Sequence, residues 1–250
     1  MNKHSGFSYF SCTRLCLPMI GLAFASPLWA LAETAEPQKP SWYLQGAVGA
    51  WAPQKQSLHV DLGGPVSLTG QVQYGSDLSG AIAFGRQSWT ELKEGSPVPV
   101  RLEVEGWQGT GKRRSVDLGV LHVQPDDKVR ANALFLNGWL RVHRGDEVDA
   151  QRQPLWNLWL GAGMGYASVK YPEASGISGC NCLRAASQNG AAWQLKLSLE
   201  RQVSESTRLV AQLGQVYLPA VKTSGDLVPQ TAYARLQGPT LSLGVRMDLR

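Results

Sequence analysis

The sequence predicts an all-β fold: an eight-stranded, antiparallel, up-and-down transmembrane β-barrel. First, the stretch AAWQLKLSLE (residues 191–200) alternates apolar and polar side chains with a strict period of two, the repeat of a strand with one apolar and one wet face. Second, the same alternation recurs along the chain after an N-terminal segment typical of secretion. Third, the connections between these segments are alternately long and short, as in membrane barrels with long loops at one end.

The N-terminal residues 1–32 are predicted to be a signal peptide. Lys3 and Arg14 supply a basic start, residues 15–31 are mostly apolar, and Ala30-Leu31-Ala32 is a small-x-small cleavage site. We therefore expect cleavage after Ala32, a polar leader over residues 33–40 and one barrel domain over residues 41–250. The mature chain of 250 − 32 = 218 residues suits a single domain.

Eight segments of the mature chain show the period of two, each with an apolar face and a polar or small face. They cover residues 41–51, 78–87, 98–107, 128–142, 155–169, 191–200, 207–218 and 240–249. Within the long connections, residues 57–61 and 66–74 are candidate strand extensions, and residues 115–124 are a candidate hairpin above the barrel. Aromatic residues fall near the segment ends and fit interfacial girdles, with Trp42 and Trp156 at one rim and Tyr166, Trp193 and Tyr217 at the other.

The charged residues of these segments share the face opposite the apolar one, which places them inside the barrel. This lumen charge network comprises four bases and four acids: Arg101, Glu103, Glu105, Arg141, Lys196, Glu200, Arg246 and Asp248. Mixed signs in one narrow lumen can pair, whereas Arg or Lys facing lipid at mid-membrane costs about 2–4 kcal/mol. Arg86 and Arg130 have outward parity, meaning that the period of two places them on the apolar face. They lie near strand ends, however, where a long aliphatic side chain can carry the charge to the membrane–water interface.

Three tryptophans, Trp107, Trp139 and Trp159, also have inward parity. Either they fill the lumen or the register slips at these positions, and the sequence leaves both alternatives open. Gly161, Gly163 and Gly165 lie within an alternating segment and not at a strand-to-helix turn, so a phosphate-binding loop is rejected. Glycines on one barrel face instead make room for bulky lumen neighbours or allow curvature.

Two stretches resemble a known family. LWLGAGMGYA (residues 158–167) and AAWQLKLSLERQVSESTRLVAQLGQVYL (residues 191–218) resemble the fifth to seventh strands of small outer-membrane β-barrels, such as the OmpA transmembrane domain and related surface-antigen barrels. The resemblance implies a bacterial outer-membrane protein in contact with membrane lipid and lipopolysaccharide, inserted by the outer-membrane assembly machinery. The chain departs from the family by ending Asp248-Leu249-Arg250, where such barrels commonly end in an aromatic residue.

Composition limits the possible partners and cofactors. Loss of Lys3 and Arg14 takes the formal charge from +5 to +3, which does not indicate nucleic-acid binding. We expect a monomer without cofactors. Only Cys180 and Cys182 remain after signal cleavage, and a small disulfide and two free thiols are both open alternatives. A metal site is not indicated, because no histidine lies near them in sequence.

These observations predict a non-enzymatic structural or surface-exposed barrel, with a narrow pore and an adhesin as variants and no catalytic residue assigned. A lumen filled by side chains should conduct poorly. The alternative is a lipid A acyl hydrolase, which needs a nucleophile, a histidine and an acid within hydrogen-bond reach. His59 and His122 lie in outer loops and His143 at the opposite end. The cluster Lys112-Arg113-Arg114 is either a contact for lipopolysaccharide phosphates or a solvated loop triplet.

Overall fold

The computed structural model describes residues 41–61, 65, 67–91, 97–119, 122–123, 125, 127–144, 156–172, 185–223 and 230–249. This part of the chain holds thirteen strands in one sheet. They are β1 (Ser41–Trp51), β2 (Gln56–Asp61), β3 (Ser67–Gly75), β4 (Asp77–Glu91), β5 (Pro97–Asp117), β6 (His122–Val123), β7 (Lys128–Arg144), β8 (Trp156–Tyr171), β9 (Ala186–Gln202), β10 (Thr207–Tyr217), β11 (Val221–Thr223), β12 (Gln230–Tyr233) and β13 (Gln237–Leu249). Among these residues, no helix is both long and apolar enough to cross a membrane.

Eight of the strands close into a ring of antiparallel hydrogen-bonded pairs, in the order β1, β4, β5, β7, β8, β9, β10, β13 and back to β1. The first and last strands complete the ring, with Trp42 opposite Leu249 and Trp51 opposite Thr240. Closure removes the sheet edges, so that the backbone donors and acceptors of the ring find partners within it. The predicted eight-stranded antiparallel barrel is confirmed.

The ring strands coincide with the eight predicted segments, but several are longer. β5 continues to Asp117, ten residues past its predicted end, and β9 begins at Ala186, five residues before its predicted start. The added residues are mostly polar or glycine on both faces, so the alternation disappears although the pairing with the neighbouring strands continues. The alternation of apolar and polar residues reflects the surroundings of a strand and not its pairing. A prediction from alternation therefore underestimates the length of a strand that continues beyond the apolar layer.

The short strands β2, β3, β6, β11 and β12 continue the wall beyond the ring and, with the end of β5, form what we call the outer extension. Trp51 lies opposite Asp77, and Gln56 lies opposite Val72, five residues further along each strand, so the register is kept across the interruption. β6 folds back on the end of β5, with Val116 opposite Val123. The predicted strand extensions and the predicted hairpin are confirmed. The outer extension stands at the end of the ring away from Ser41 and Leu249.

The interior has two zones. Within the outer extension and the adjoining part of the ring, buried apolar side chains pack together, including Trp51, Trp107, Phe135, Leu58, Val72, Val169 and Leu236. Trp51 and Trp107 meet edge to face with ring centroids 5.4 Å apart. Nearer the chain ends the buried side chains are polar or charged. Trp107, Trp139 and Trp159 are all buried, so they fill the lumen. The pairing of β7 with β8 shifts register just past Trp159, between Arg141 and His143, and this leaves the inward placement of the three tryptophans unchanged.

Candidate functional site

The lumen of the ring collects the charged side chains that the sequence assigns to its inward face. Arg101, Glu103, Glu105, Lys196, Glu200 and Arg246 are buried, and Arg141 and Asp248 are partly exposed towards the chain ends. They project from β5, β7, β9 and β13, which the ring brings around one narrow space. The buried members separate into two clusters along the barrel axis.

The cluster nearer the chain ends is built around Glu200. Its carboxylate accepts two hydrogen bonds from the Arg101 guanidinium and one from Arg246, at 3.2 Å. The side-chain oxygen of Gln87 accepts a further bond from each arginine, both at 3.1 Å. Arg101 also stacks on the Trp159 ring, with its guanidinium carbon 3.4 Å from the ring centroid. One carboxylate, one amide and an aromatic face thus hold two buried guanidinium groups, as bidentate and stacking geometry allows.

The second cluster centres on Asn137, in the middle of the lumen. Its side-chain amide donates to Glu103 at 2.8 Å and to Glu105 at 2.9 Å, and its oxygen accepts from Gln194 at 2.8 Å. The Tyr43 hydroxyl donates to Glu103 at 2.7 Å. Lys196 donates to Glu105. Both carboxylates are therefore held by several donors, as buried charges require.

Sequence reasoning named the charged members of these clusters and missed their neutral partners. Tyr43, Gln87, Asn137 and Gln194 were overlooked because only charge was used to select residues. All four lie on the face of their own strand opposite the exposed apolar side chains, which is the face turned to the lumen. Parity alone would therefore have found them.

The glycines of β8 make room for these clusters. A β-carbon on Gly161 would overlap the Trp139 ring, and one on Gly163 would overlap the side-chain oxygen of Asn137. Both glycines face the lumen at positions directly opposite those residues. The run of alternate glycines in β8 is thus a packing requirement of the lumen.

The outward face of the ring is apolar on every strand. Large exposed side chains include Val48, Ile82, Leu102, Leu134, Leu160, Leu197, Leu213 and Leu243. Aromatic pairs stand near its two margins: Trp42 stacks on Phe84 with centroids 5.1 Å apart, and Trp193 stacks on Tyr217 at 3.5 Å. We call this surface the apolar belt.

Cations with outward parity near the chain ends sit on tryptophan rings. Arg86 lies 5.6 Å from the Trp42 ring centroid, and Arg201 lies 5.0 Å from that of Trp156. A guanidinium over an indole face is favourable where one side of the pair is apolar and the other is wet. The placement of Trp42 and Trp156 at one margin matches the predicted girdle.

The basic triplet at residues 112–114 is not a solvated loop, which corrects the sequence interpretation. It lies in β5, and Arg113 is fully buried in the outer extension, paired with Asp127 and donating to the Pro172 carbonyl at 2.9 Å. Burial disfavours the charged guanidinium, but the hydrogen bond and the charge of Asp127 outweigh that effect and raise the Arg113 pKa. Lys112 and Arg114 remain exposed.

A second polar group within the outer extension surrounds Gln56. Its side-chain oxygen accepts from the hydroxyls of Tyr74 and, at 3.0 Å, of Tyr171. Burial raises the pKa of both tyrosines, so each stays a protonated donor through the physiological pH range. Tyr171 stacks on Tyr233 with ring centroids 4.5 Å apart. These contacts tie β2, β3, β8 and β12 together.

The residues of the hydrolase alternative are not assembled into a catalytic group in the described part of the chain. Ser57, His59 and Asp61 share one face of β2, where same-face neighbours are about 6.6 Å apart along the strand, and His59 is exposed. His143 is exposed at the far end of the barrel. The His122 side chain, Cys180 and Cys182 lie outside what is described. Among the described residues, no group of three or more His, Cys, Asp or Glu side chains could hold a metal ion.

A closed antiparallel ring with an apolar outside and a hydrogen-bonded polar inside defines a small β-barrel of the outer-membrane type. OprG, an outer membrane protein of Pseudomonas aeruginosa, has a similar structure, with a TM-score of 0.58 and 12% identity over 84% of this chain and 96% of that one. Neisserial surface protein A aligns with a TM-score of 0.44 and 13% identity over 84% of this chain and 99% of its own.

The outer membrane protease OmpT of Escherichia coli aligns with a TM-score of 0.46 and 8% identity, covering 88% of this chain and all of its own. No protein-family model and no curated protein sequence matches the chain. The likeness to OprG shows the fold of small outer-membrane β-barrels. Activity has to be argued from this chain's own residues.

Proposed function

We propose that the protein is a non-enzymatic integral protein of the bacterial outer membrane, with a lumen closed to solutes and the outer extension presented outside the membrane. The observation that carries the proposal is the contrast between the two faces of the ring. Leu78, Val48 and Met164 are 74%, 72% and 72% exposed, whereas Glu105 and Glu200 are each 1% exposed. A soluble protein would reverse this arrangement.

The apolar belt supports the membrane part of the proposal. It runs around all eight ring strands, so it is not a local patch that one protein partner would cover. Lipid tails cover such a surface, and a closed ring is one of the few backbone arrangements that hydrocarbon tolerates. The localisation, the signal peptide and the expected monomer belong to this proposal.

The filling of the lumen supports a closed barrel. One charged cluster occupies the ring near the chain ends, the other occupies its middle, and apolar side chains fill it towards the outer extension. A small cavity of about 10 Å³ lies among Ala47, Trp107, Lys196, Gln212 and Ser242, with a lining that is partly polar and partly apolar. That volume holds about one water molecule. A solute would have to displace paired charges and packed tryptophans to pass.

Conductance in planar bilayers tests the closed lumen. Heat-modifiable gel mobility of the outer-membrane fraction first verifies that the expressed protein inserts as a folded barrel. The purified barrel in planar bilayers should then give no more steady current than a bilayer without protein. A porin inserted in the same bilayers is the positive control. Steady single-channel current from the folded protein would contradict a closed lumen and favour the narrow-pore variant.

The lipid profile of expressing cells tests the non-enzymatic part. Lipid A from cells that make the protein should carry the same acyl chains as lipid A from cells with an empty vector, because the described residues around His59 do not form a catalytic group. Loss of an acyl chain that disappears in a His59→Ala, His122→Ala variant would instead establish the hydrolase alternative.

A further inference from the structure

A group of exposed cations stands on three neighbouring strands beyond the apolar belt. We call it the cationic patch, and its members are Lys112 of β5, Lys128 and Arg130 of β7, and Lys170 of β8. We infer that the cationic patch binds the phosphates of a phosphorylated glycolipid in the outer leaflet of the membrane. This inference rests on the proposed membrane location and adds a lipid class and a site to it.

The pairing of the three strands brings the cations side by side. Lys128 lies directly opposite Lys112, and Arg130 lies directly opposite Lys170. Residues in such positions have β-carbons about 4.5–5.5 Å apart, and like charges there destabilise a sheet. Lys128 bonds to Asp77 at 2.7 Å. Within the described residues, no acidic side chain pairs with Arg130 or Lys170, and a bound anion would offset the repulsion between these two cations.

The height of the cationic patch fits a lipid headgroup. Leu134 lies opposite Tyr166 at the top of the apolar belt on β7 and β8, and Arg130 and Lys170 each lie four residues beyond. Four residues correspond to about 13 Å along a strand, or about 10 Å along the membrane normal at the usual tilt. The outward residues between them, Asn132 and Ser168, are polar. The cations therefore lie just above the acyl layer.

The cations occupy one sector of the barrel. On the next strand, β9, the outward residues at this height are Ser187 and Asn189, with Ser187 directly opposite Lys170. Arg113 does not contribute, because its guanidinium is buried and paired with Asp127. A confined group of cations beside lipid suits phosphate oxygens, which arginine binds with paired hydrogen bonds and lysine as a point charge.

The orientation of the cationic patch selects the ligand. Its side chains face sideways over the apolar belt, so a molecule that contacts both must lie within the leaflet. A phosphorylated glycolipid presents acyl chains to the belt and phosphates to the cations. The net charge of +3 expected after signal cleavage gives no independent indication of nucleic acid.

Lipid A binding by the folded full-length mature barrel in detergent micelles tests the inference. Wild type and the Arg130→Gln, Lys170→Gln variant are titrated with bis-phosphorylated lipid A and with dephosphorylated lipid A, and complexes are counted by native mass spectrometry. We expect the variant to bind bis-phosphorylated lipid A at least about tenfold more weakly, because two charge-assisted contacts are lost. Wild type should bind dephosphorylated lipid A as weakly as the variant does.

The matched control is Lys55→Gln, Arg235→Gln, which removes two exposed cations from the opposite side of the outer extension and should change the affinity less than about twofold. Equal affinity of wild type and the Arg130→Gln, Lys170→Gln variant, or equal affinity for the two lipids, would overturn the inference. Full competition by equimolar inorganic phosphate would also overturn it, because the site would then take free phosphate.

Folding and binding are separated in this design. Heat-modifiable gel mobility reports whether each protein forms the barrel, and its absence in wild type would count against the proposed membrane location and not against the cationic patch. If the double variant does not fold, the salt dependence of wild-type binding decides. Affinity for bis-phosphorylated lipid A must then fall as NaCl rises, and an affinity independent of salt would overturn the inference.

Discussion

At the scale of single residues, the lumen is stable because each buried charge has partners that match its geometry. Glu200 accepts from both Arg101 and Arg246, so removing its carboxylate takes the shared acid from two guanidinium groups and leaves them with Gln87 and, for Arg246, Asp248. Removing one partner of a buried ion pair lowers the free energy of unfolding by more than the intact pair adds to it, because the remaining charge stays buried without its counter-charge. Stability should therefore depend on the acid at the centre of each cluster more strongly than on ion pairs at the surface.

We predict that Glu200→Ala lowers the free energy of unfolding by about 3–5 kcal/mol. Asp77→Asn is the control, since the side chain of its partner Lys128 is 55% exposed and such pairs contribute at most about 1 kcal/mol. Urea titration of both variants in lipid vesicles, followed by tryptophan fluorescence, measures the difference. Equal losses for the two would mean that the Glu200 cluster does not hold the lumen.

A second residue-scale prediction concerns two glycines close to Asn137. Gly163→Ala should lower the free energy of unfolding by about 1–3 kcal/mol, because the added methyl group displaces Asn137 from Glu103, Glu105 and Gln194. Gly138→Ala adds the same methyl group on the lipid side, where nothing lies within 4 Å, and should be neutral or slightly stabilising. The same urea titration distinguishes them, and a neutral Gly163→Ala would refute the packing role of the β8 glycines.

At the scale of strands, the period of two assigns the ring residues within the apolar belt to lipid or to lumen. β9 shows this most clearly: Leu195, Leu197 and Leu199 are exposed outward, and Gln194, Lys196 and Ser198 are buried inward. The assignment survives over the whole strand because antiparallel partners on both sides fix its register.

We predict opposite outcomes for two adjacent substitutions in β9. Leu197→Arg places a charge against acyl chains and should cost about 2–4 kcal/mol, enough to reduce the heat-modifiable fraction in membranes. Ser198→Ala should leave that fraction unchanged, since the buried Ser198 hydroxyl has no hydrogen-bond partner among the described protein atoms. Equal membrane yields of the two variants would contradict the assignment of faces.

A further prediction at the scale of strands is that the outer extension can unfold while the ring stays closed. It has its own buried apolar side chains, so Leu58→Asp should unravel β2 and β3 while the ring stays closed. Limited proteolysis of intact cells should then cut between residues 52 and 76, with heat-modifiable mobility retained. His59→Asp, on the exposed face of the same strand, is the control and should remain resistant. Loss of the ring in Leu58→Asp would show that the two parts do not fold separately.

At the scale of the whole molecule, the ring could be predicted from sequence because lipid imposes a simple repeat on it. The outer extension could be placed only approximately, since β5 beyond Trp107 pairs through glycines and polar residues that carry no apolar signal. Arg113 could not be assigned, because its burial depends on Asp127, fourteen residues away, and on the closure of the outer extension over it.

The lumen could be predicted only in part, because the period of two shows which side chains point inward but not which of them meet. Parity places Arg101, Lys196 and Glu200 inside, but which acid meets which base depends on the tilt and stagger of the strands across the barrel. Arg101 and Glu200 are 99 residues apart in sequence and project from strands that are not neighbours in the ring. Only the closed ring brings them together.

The most direct test of the account is a nitroxide scan along β9 in lipid vesicles, with Cys180 and Cys182 replaced by serine and one spin label at a time at positions 194–199. If β9 spans the membrane, positions 195, 197 and 199 should be highly accessible to dissolved oxygen, and positions 194, 196 and 198 should be poorly accessible to both oxygen and a polar nickel reagent. Low oxygen accessibility at the three leucine positions would place them in a protein core and contradict a transmembrane barrel.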